Sequence, residues 1–310
     1  MRIALVVTVR NEADTIGELL ASIDAQTRGP DEVVIVDGGS ADGTAEIVDA
    51  WSHTKPGRLA VSAAGANIAA GRNVAISRSG APAVAVTDAG CVLDPMWLEH
   101  LGRALDDADV AMGYYVPRNA ASFERIATCL DQPGSDEIAP ERFMPSSRSV
   151  AFRREVWERV GGYPEWLDIG EDMYFDFAVM RAGVRRRFVP DALVTWRTRS
   201  NLRDFVRQYF AYARGDAIAG MYPQRHALRF GSYGATIVFV AASLRWPWLV
   251  ALPIAAAGFW LRRAYARAAR RLRGAERVVA FVALPFLNAI QDAAKMAGYV
   301  AGLPHRKRSR

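Results

Sequence analysis

Two aspartates stand directly after apolar runs, where a folded chain can present a carboxylate to a ligand. Asp37 ends the run EVVIV and is followed by Gly38, Gly39 and Ser40, and Asp88 ends the run AVAVT. A carboxylate can accept hydrogen bonds from a nucleobase edge or a ribose hydroxyl. Glycines let the backbone approach a ligand closely and expose amide N–H groups to phosphates. These residue types together predict the binding of a nucleotide.

The elements that must position these residues alternate between strand and helix patterns. The continuous apolar run at residues 3–8 is typical of a strand buried on both faces, and EVVIVD (32–37), RLAVS (58–62) and APAVAVTD (81–88) are predicted to be strands as well. Segments with apolar residues at helical spacing separate them, which predicts an α/β sandwich with a parallel sheet. Ligands bind beyond the carboxyl ends of such strands. Residues 116–149, rich in Pro, Ser and Asp, are expected to be irregular.

Each of these signals also has a simpler interpretation. Asp-Gly-Gly-Ser is often only a turn, and an aspartate after a strand often caps a helix. A dinucleotide-binding domain would need Gly-x-Gly-x-x-Gly after the first strand, but the chain has TVRNEAD there. An NAD-dependent oxidoreductase is therefore disfavoured. The combination of polar strand ends indicates function more strongly than any one of them.

Five short motifs, taken in order, resemble those of family 2 glycosyltransferases with the GT-A fold. VVTVRNEADTIGELLASIDAQT, followed by EVVIVDGGSADGT, is similar to the start of such a domain. GRNVAI resembles the family's Ala-Arg-Asn segment, and TDAG stands where its Asp-x-Asp motif occurs. AFRREVWERVGGYPE and GEDMYF resemble its acceptor-side segment and its Glu-Asp motif. The resemblance spans roughly residues 1–215 and implies a GT-A, Rossmann-like sandwich with a mainly parallel central sheet.

The resemblance also assigns roles to individual residues. It implies that Asp37 holds the nucleobase, that Arg72 contacts the base or the diphosphate, and that Asp172 is the general base of an inverting displacement. Glu171 and Trp166 would lie on the acceptor side. The implied donor-binding residues are Arg10, Glu12, Asp37, Gly38, Arg72, Asp88 and Gly90. Simpler roles stay open: Asp172 as an acid favoured at a helix N-terminus, Arg72 as a surface ion-pair partner, and Trp166 as a packing residue.

The diphosphate site departs from the family pattern. The resemblance implies Mg²⁺ or Mn²⁺ bound through carboxylates, which leaves Asp88 as the metal ligand because Gly90 replaces the second aspartate. A histidine that often follows the last core strand is absent, and VTWRTRS stands in its place. We therefore expect Arg197 and Arg199 to help neutralise the departing diphosphate.

Charge is distributed unevenly along the chain. Residues 1–205 carry a net charge of −8 and residues 206–310 a net charge of +14. Two apolar segments, neither long enough alone to cross hydrocarbon, predict a hydrophobic hairpin over about residues 229–261 that turns at RWPW. Seven arginines follow at 262–277. Arginines beside long apolar segments favour anionic membrane lipids, and disfavour nucleic acid, as the partner.

These features predict a glycosyltransferase domain at residues 1–222 and a membrane-associating region at 223–310. The second region would contain the hairpin, an arginine-rich linker at 262–277, and an interfacial helix at about 278–303. A soluble helical bundle is the alternative. The short apolar run at the N-terminus is typical of a first strand and not of a signal peptide. With the flanking arginines, it predicts the cytoplasmic face of the cell membrane.

The predicted function is transfer of a sugar from a nucleotide-diphosphate donor to a hydroxyl acceptor, a lipid or a lipid-linked glycan, as in cell-envelope polysaccharide synthesis. The alternative is a catalytically degenerate GT-A protein that binds nucleotide sugars or acts as a scaffold, because Gly90 weakens the metal site. Cys91 and Cys129 do not have the spacing of a metal or redox motif, so we expect buried free thiols.

Overall fold

The chain divides into two compact units. The computed structural model describes residues 1–118, 121–198 and 200–307. The first unit consists of Met1–Arg118 and Gly134–Arg197, and the second of Asn119–Pro133 and Thr198–Arg310. The domain boundary predicted between residues 222 and 223 therefore lies inside the second unit.

Strands and helices alternate in the first part of the chain, and helices alone follow. The strands are β1 (Ile3–Val9), β2 (Glu32–Asp37), β3 (Arg58–Ser62), β4 (Ala83–Asp88), β5 (Cys91–Leu93), β6 (Val110–Pro117), β7 (Val150–Arg153) and β8 (Arg186–Trp196). The helices are α1 (Ile16–Asp24), α2 (Thr44–Ser52), α3 (Ile68–Arg78), α4 (Trp97–Asp107), α5 (Ser122–Asp131), α6 (Arg154–Val160), α7 (Glu171–Arg181), α8 (Leu202–Ala219), α9 (Pro223–Ser243), α10 (Ala251–Arg271) and α11 (Gly274–Gly302).

The first unit is built on one sheet with the strand order β3-β2-β1-β4-β7-β6-β8-β5. The first four strands in this order are parallel to one another. β7 runs antiparallel to both β4 and β6, β8 is parallel to β6, and β5 is antiparallel at the edge. The predicted α/β sandwich with a mainly parallel central sheet is confirmed.

The central strands are buried on both faces, so their side chains enter two separate cores. Leu5 and Val7 of β1 belong to one core with Leu19 of α1. Val6, which points to the opposite face, belongs to the other core with Ile76 of α3. Residues without polar side-chain groups can occupy every position of such a strand, which explains the continuous apolar runs in the sequence.

Helix α3 lies unusually close to β1. A Cβ atom at Gly71 would be only 2.8 Å from Cγ2 of Thr8, so this position accommodates glycine and no larger residue. The helix begins after Asn67, whose side chain accepts a hydrogen bond from the N–H of Ala70. The close approach places the next residue, Arg72, against the sheet near the carboxyl ends of the strands.

The second unit consists of α5 and α8 to α11. Helix α5 lies within residues 116–149, so the prediction of an irregular segment was wrong for Ser122–Asp131, whereas 132–149 contains only two short 3-10 turns. Ile126 and Cys129 are buried in the core of this unit. Their partners are helices far away in the sequence, and the surrounding Pro and Ser residues obscured the helical spacing. Cys91 and Cys129 are free and buried, as predicted.

The segment predicted to form a hydrophobic hairpin consists of two helices joined by a tight turn. Helix α9 ends at Ser243, a single 3-10 turn covers Pro247–Val250, and α10 follows directly. The arginine-rich segment predicted as a linker is helical instead, because α10 continues to Arg271. Leu261 and Ala268 of this stretch are buried, which gives it a packed apolar face between its arginines.

Helix α11 packs against α8 through small residues. A Cβ atom at Gly298 would lie 2.1 Å from the carbonyl oxygen of Phe210, so the two backbones touch there. By length and composition alone, one helix among the described residues, Gly274–His305, could cross a membrane. Its first half exposes apolar side chains such as Phe281 and Phe286.

Candidate active site

The carboxyl ends of β2, β1 and β4 form one edge of the sheet. In the strand register Val9 of β1 lies opposite Asp37, and Thr8 lies opposite Asp88. Because neighbouring strands are about 4.8 Å apart, the two aspartates lie about 10 Å apart, on either side of β1. This edge is the place where parallel sheets bind ligands.

The carboxylate of Asp37 shapes the glycine loop that follows it. It accepts hydrogen bonds from the N–H groups of Gly39 and Ser40, both at 3.0 Å, and from the Ser40 hydroxyl. Gly39 has φ = 93°, a conformation that favours glycine. A Cβ atom at Gly38 would lie 3.1 Å from the carbonyl oxygen of Ala66. Asp37 therefore holds the loop in shape at the sheet edge.

The loop after β1 lies beside the glycine loop. The Cδ atom of Arg10 is 3.8 Å from the place where a Cβ atom on Gly38 would lie, and the Arg10 side chain is exposed. The N–H of Glu12 donates a hydrogen bond to Oγ1 of Thr44 at 2.8 Å, while its carboxylate accepts one from the Thr15 hydroxyl. Both predicted donor-binding residues of this loop thus stand at the same edge as Asp37.

Arg72 is buried and joins the end of β4 to the start of α7. Its Nη2 donates to Oδ1 of Asp88 at 2.7 Å, and its Nη1 donates to Oε1 of Glu171 at 2.6 Å. Its guanidinium also lies 5.2 Å from the centroid of the Tyr163 ring. Arg72 is only 1% exposed. Arg72 is thus placed to position Asp88 and Glu171, and its predicted contact with the base or the diphosphate stays a prediction.

Two neighbouring acids begin helix α7, and their environments differ. Burial raises the pKa of Glu171 to about 7, although the Arg72 guanidinium acts in the opposite direction, and the charge of Asp172 adds to the rise. Asp172 is half-buried. Its Oδ2 accepts a hydrogen bond from Oγ of Ser146 at 3.2 Å, and its Oδ1 accepts one from the N–H of Met173 at 2.8 Å.

A third acid of α7, Asp176, lies one turn after Asp172. Burial raises its pKa well above the ordinary value, and the negative charge of Asp172 adds to this shift. Among the described residues its Oδ2 has no hydrogen-bond partner. Burial and the neighbouring acid therefore both disfavour the charged form of Asp176. No sequence motif marks Asp176.

Arg148 lies between the Asp88 side and the Asp172 side of the site. Its Nε is 3.8 Å from Oδ2 of Asp88, and its Nη1 donates a hydrogen bond to Oγ of Ser146 at 3.0 Å. No sequence motif marks Arg148, because it belongs to a segment expected to be irregular. Only the tertiary fold brings it to the strand ends.

The remaining predicted residues stand at the surface of the first unit. Trp166 is exposed and contacts the ring of Tyr174 edge to face, with 5.2 Å between centroids. Arg197 donates to Oε1 of Glu18 at 2.8 Å and is half-exposed. Arg199 lies outside the described residues.

The carboxylates at this edge do not form an ordinary divalent-metal site. One oxygen of Asp88 accepts from Arg72, and the other faces the guanidinium of Arg148. Gly90 offers no side chain. Within residues 1–118, 121–198 and 200–307, no three His, Cys, Asp or Glu side chains are grouped closely enough to hold a metal ion. The residues present therefore do not fit a cation held chiefly by the protein.

Two family models match the chain. Residues 4–161 match the one described as glycosyl transferase family 2, and residues 83–290 match the one described as glycosyl transferase family group 2. The first match includes Asp37 and Asp88, and the second includes Asp172 and continues into the helical unit.

Curated relatives are 21% to 27% identical to this chain over the aligned residues. Glycosyltransferase AglE of Haloferax volcanii is 26% identical over 62% of this chain and 65% of its own length. The pre-mycofactocin glycosyltransferase of Mycobacterium tuberculosis is 27% identical over 78% of this chain and 53% of its own length. The O-antigen chain rhamnosyltransferase RfbN of Salmonella typhimurium is 21% identical over 68% of this chain. The chain thus matches less than two thirds of the first two relatives.

Solved structures of the same fold cover almost the whole chain. The mannosyltransferase PcManGT from Pyrobaculum calidifontis, in complex with GDP-Man and Mn²⁺, has a TM-score of 0.61 and 23% identity, with 97% of this chain and 87% of that chain covered. S. aureus TarS 1-349 in complex with UDP-GlcNAc has a TM-score of 0.54 and 17% identity, with 99% and 93% covered. At these identities the likeness shows the GT-A fold.

Proposed function

Because the chain belongs to glycosyl transferase family 2, we propose that it transfers a sugar from a nucleotide-diphosphate donor to an acceptor hydroxyl, with inversion at the anomeric carbon. Neighbours of the same fold are in complex with GDP-Man and UDP-GlcNAc, which supports this class of donor. The nucleotide would lie along the edge formed by Arg10, Glu12, Asp37 and Gly38, and the sugar near Asp88.

The observation that carries the proposal is the contact chain from Asp88 to Asp172. Asp88 faces Arg148, Arg148 donates to Ser146, and Ser146 donates to Asp172. Asp88, which could lie beside the donor, and Asp172, which could accept a proton, are thus connected through two side chains. This arrangement suits a displacement in which the acceptor approaches from the side opposite to the leaving diphosphate.

In the proposed reaction the acceptor oxygen bonds to the anomeric carbon while the bond from that carbon to the phosphate oxygen breaks. Asp172 takes the proton of the acceptor hydroxyl, and the electron pair of the broken bond stays on the diphosphate. Arg72 and Glu171 hold the base and Asp88 in place. In family members that bind Mg²⁺ or Mn²⁺ the ion neutralises the diphosphate; here any such ion would have to be held mainly by donor phosphates, with Asp88 as the protein ligand.

Replacement of Asp172 by asparagine tests the role of the base. The variant keeps the size and the Ser146 contact but loses the proton acceptor, so we expect kcat to fall by about 10²- to 10⁴-fold with donor affinity unchanged. Screening UDP-, GDP- and dTDP-sugars by thermal shift would first identify the donor. Release of nucleoside diphosphate measures turnover, and NMR of the product tests inversion.

Asp107→Asn is the matched control, because Asp107 is an exposed acid of the same unit that pairs with Arg187. It should leave turnover unchanged. Full activity in Asp172→Asn would exclude Asp172 as the base. Donor binding without turnover in the wild-type chain, with lipid and glycan acceptors supplied, would favour a binding or scaffold protein.

We further propose that the acceptor is a lipid or a lipid-linked glycan and that the chain works at the cytoplasmic face of an anionic membrane. The support comes from the exposed apolar tip of the α9–α10 hairpin, where Leu244 is 90% exposed and both Trp246 and Trp248 face solvent. Arg262 and Arg263, further along α10, are exposed as well. Tryptophans favour the headgroup region, and arginines favour anionic lipid.

Replacing Trp246 and Trp248 by serine tests this surface. The double variant should lose sedimentation with vesicles that contain anionic phosphatidylglycerol, while activity on a water-soluble acceptor is retained. Trp166→Ser, which removes an exposed tryptophan of the first unit, is the control and should still sediment. Wild-type chain that stays in the supernatant at low salt would contradict the membrane proposal and leave the transfer reaction intact.

A further inference from the structure

Two guanidinium groups lie beside Asp88, those of Arg72 and Arg148. The Nε of Arg148 is 3.8 Å from Asp88, which is longer than a hydrogen bond, whereas Arg72 donates to the other oxygen of Asp88 at 2.7 Å. The Arg148 side chain is 21% exposed, whereas that of Arg72 is nearly inaccessible at 2%. Of the two guanidinium groups beside Asp88, Arg148 is therefore the one that a ligand can reach.

Two aromatic rings fix the position of Arg148. Its guanidinium carbon lies 4.4 Å from the ring centroid of Trp196 and 5.5 Å from that of Tyr115. Such contacts orient a guanidinium and favour its charge. Its N–H groups form a planar fork that matches the oxygens of phosphate groups. A side chain oriented in advance loses little freedom when it binds a ligand.

We propose that Arg148 binds the diphosphate of the donor and neutralises the charge that develops on it as the sugar leaves, in place of a metal ion held by a second carboxylate. This inference rests on the proposed function and specifies how that reaction handles its leaving group. Gly90 leaves the usual second metal ligand missing, and Asp88 is already engaged by Arg72. A permanent positive charge at this point serves the same electrostatic purpose.

The position of Arg148 also connects the leaving group to the base. Ser146 accepts a hydrogen bond from Arg148 at 3.0 Å and donates one to Asp172 at 3.2 Å. During transfer Arg148 keeps all its protons and donates hydrogen bonds to the diphosphate oxygens. The proton of the acceptor goes to Asp172, and the electron pair of the broken bond goes to the diphosphate.

Calorimetric titration of the full chain with UDP, GDP and dTDP and with the three matching monophosphates, in EDTA, tests the inference. The wild-type chain should bind one of the three diphosphates more tightly than its monophosphate. In Arg148→Gln the affinity for that diphosphate should fall by about 10- to 100-fold, while the affinity for the monophosphate stays the same. Arg148→Lys, which keeps the charge and loses the fork, should give an intermediate value and guards against misfolding of the glutamine variant.

Arg187→Gln is the matched control, since Arg187 is an exposed arginine of the same unit paired with Asp107. Its preference for diphosphate over monophosphate should equal that of the wild-type chain. If both Arg148 variants kept the wild-type preference for diphosphate over monophosphate and unfolded normally on heating, the inference would be overturned while the proposed function stands. A wild-type preference that exists only with Mn²⁺ and disappears in EDTA would overturn it as well. Failure of the wild-type chain to bind any of these nucleotides under either condition would instead count against the proposed function.

Discussion

Replacing Arg72 with methionine removes the one charge that lies between two buried or half-buried carboxylates. Arg72 donates at 2.6 Å to Glu171 and at 2.7 Å to Asp88, and it is 1% exposed. Removing one partner of a buried ion pair costs about 3–5 kcal/mol, because the other charge is left without compensation. The part of the loss that comes from Glu171 depends on pH, because that carboxyl can take up a proton, and the rest comes from the Asp88 charge and the lost hydrogen bonds. We expect a loss of this size in the free energy of unfolding of the first unit.

The loss in the free energy of unfolding caused by Arg72→Met should be larger at high pH than at low pH. Glu171 has a pKa of about 7 in the folded chain, and the loss of Arg72 would raise that pKa further. Above pH 7 the wild-type carboxyl then ionises while the variant carboxyl stays protonated. Since one pKa unit corresponds to 1.36 kcal/mol, the destabilisation should be about 1.4 kcal/mol larger at pH 8 than at pH 6.

Urea unfolding followed by tryptophan fluorescence and by circular dichroism, at both pH values, measures these quantities. The double variant Arg72→Met, Glu171→Gln should recover about 2 kcal/mol of the loss, because the buried acid is then absent. Arg103→Met is the control, since Arg103 forms an exposed pair with Glu99, and it should change stability by less than about 0.5 kcal/mol. A loss below about 1 kcal/mol with no dependence on pH would refute the role given to Arg72.

Two further outcomes follow from burial and close packing. Because the folded-state pKa of Glu171 is raised from 4.5 to about 7, its contribution to stability is complete below pH 4.5 and is lost as the pH rises through 7. Glu171→Gln should remove this decline of about 3 kcal/mol, measured by urea unfolding across the range; an unchanged slope would exclude Glu171 as its source. Gly298→Ala should destabilise the helical unit by about 1–3 kcal/mol, because its Cβ would meet the Phe210 carbonyl at 2.1 Å. Gly231→Ala in α9, with open space around it, should instead be neutral or stabilising in thermal unfolding.

The sequence predicts best those parts of the fold that local patterns determine. Runs of valine, isoleucine and alanine predict β1, β2 and β4 because both faces of these strands are covered. Because Asp37 and Asp88 come at the end of these runs, predicting the strands also predicts that both carboxylates lie at the edge of the sheet. Helix α5 was missed because its buried residues, such as Ile126, pack only against helices distant in the sequence.

Side-chain roles are harder to predict than positions. Arg72 was predicted to contact the donor, but the direction of its side chain depends on how closely α3 packs against β1, and no local pattern gives that distance. Arg148 has no motif of its own. Its partners Asp88, Tyr115, Ser146 and Trp196 come from four separate segments, so only the folded chain reveals it.

The absence of a side chain at Gly71 has a consequence beyond packing. A methyl group there would push α3 outward from Thr8. Since Arg72 is the next residue, the same displacement would withdraw its guanidinium from Asp88 and Glu171. The absence of a side chain on the sheet-facing side of α3 thus sets how far the Arg72 charge reaches, and we expect Gly71→Ala to impair the proposed sugar transfer without altering any group that meets donor or acceptor.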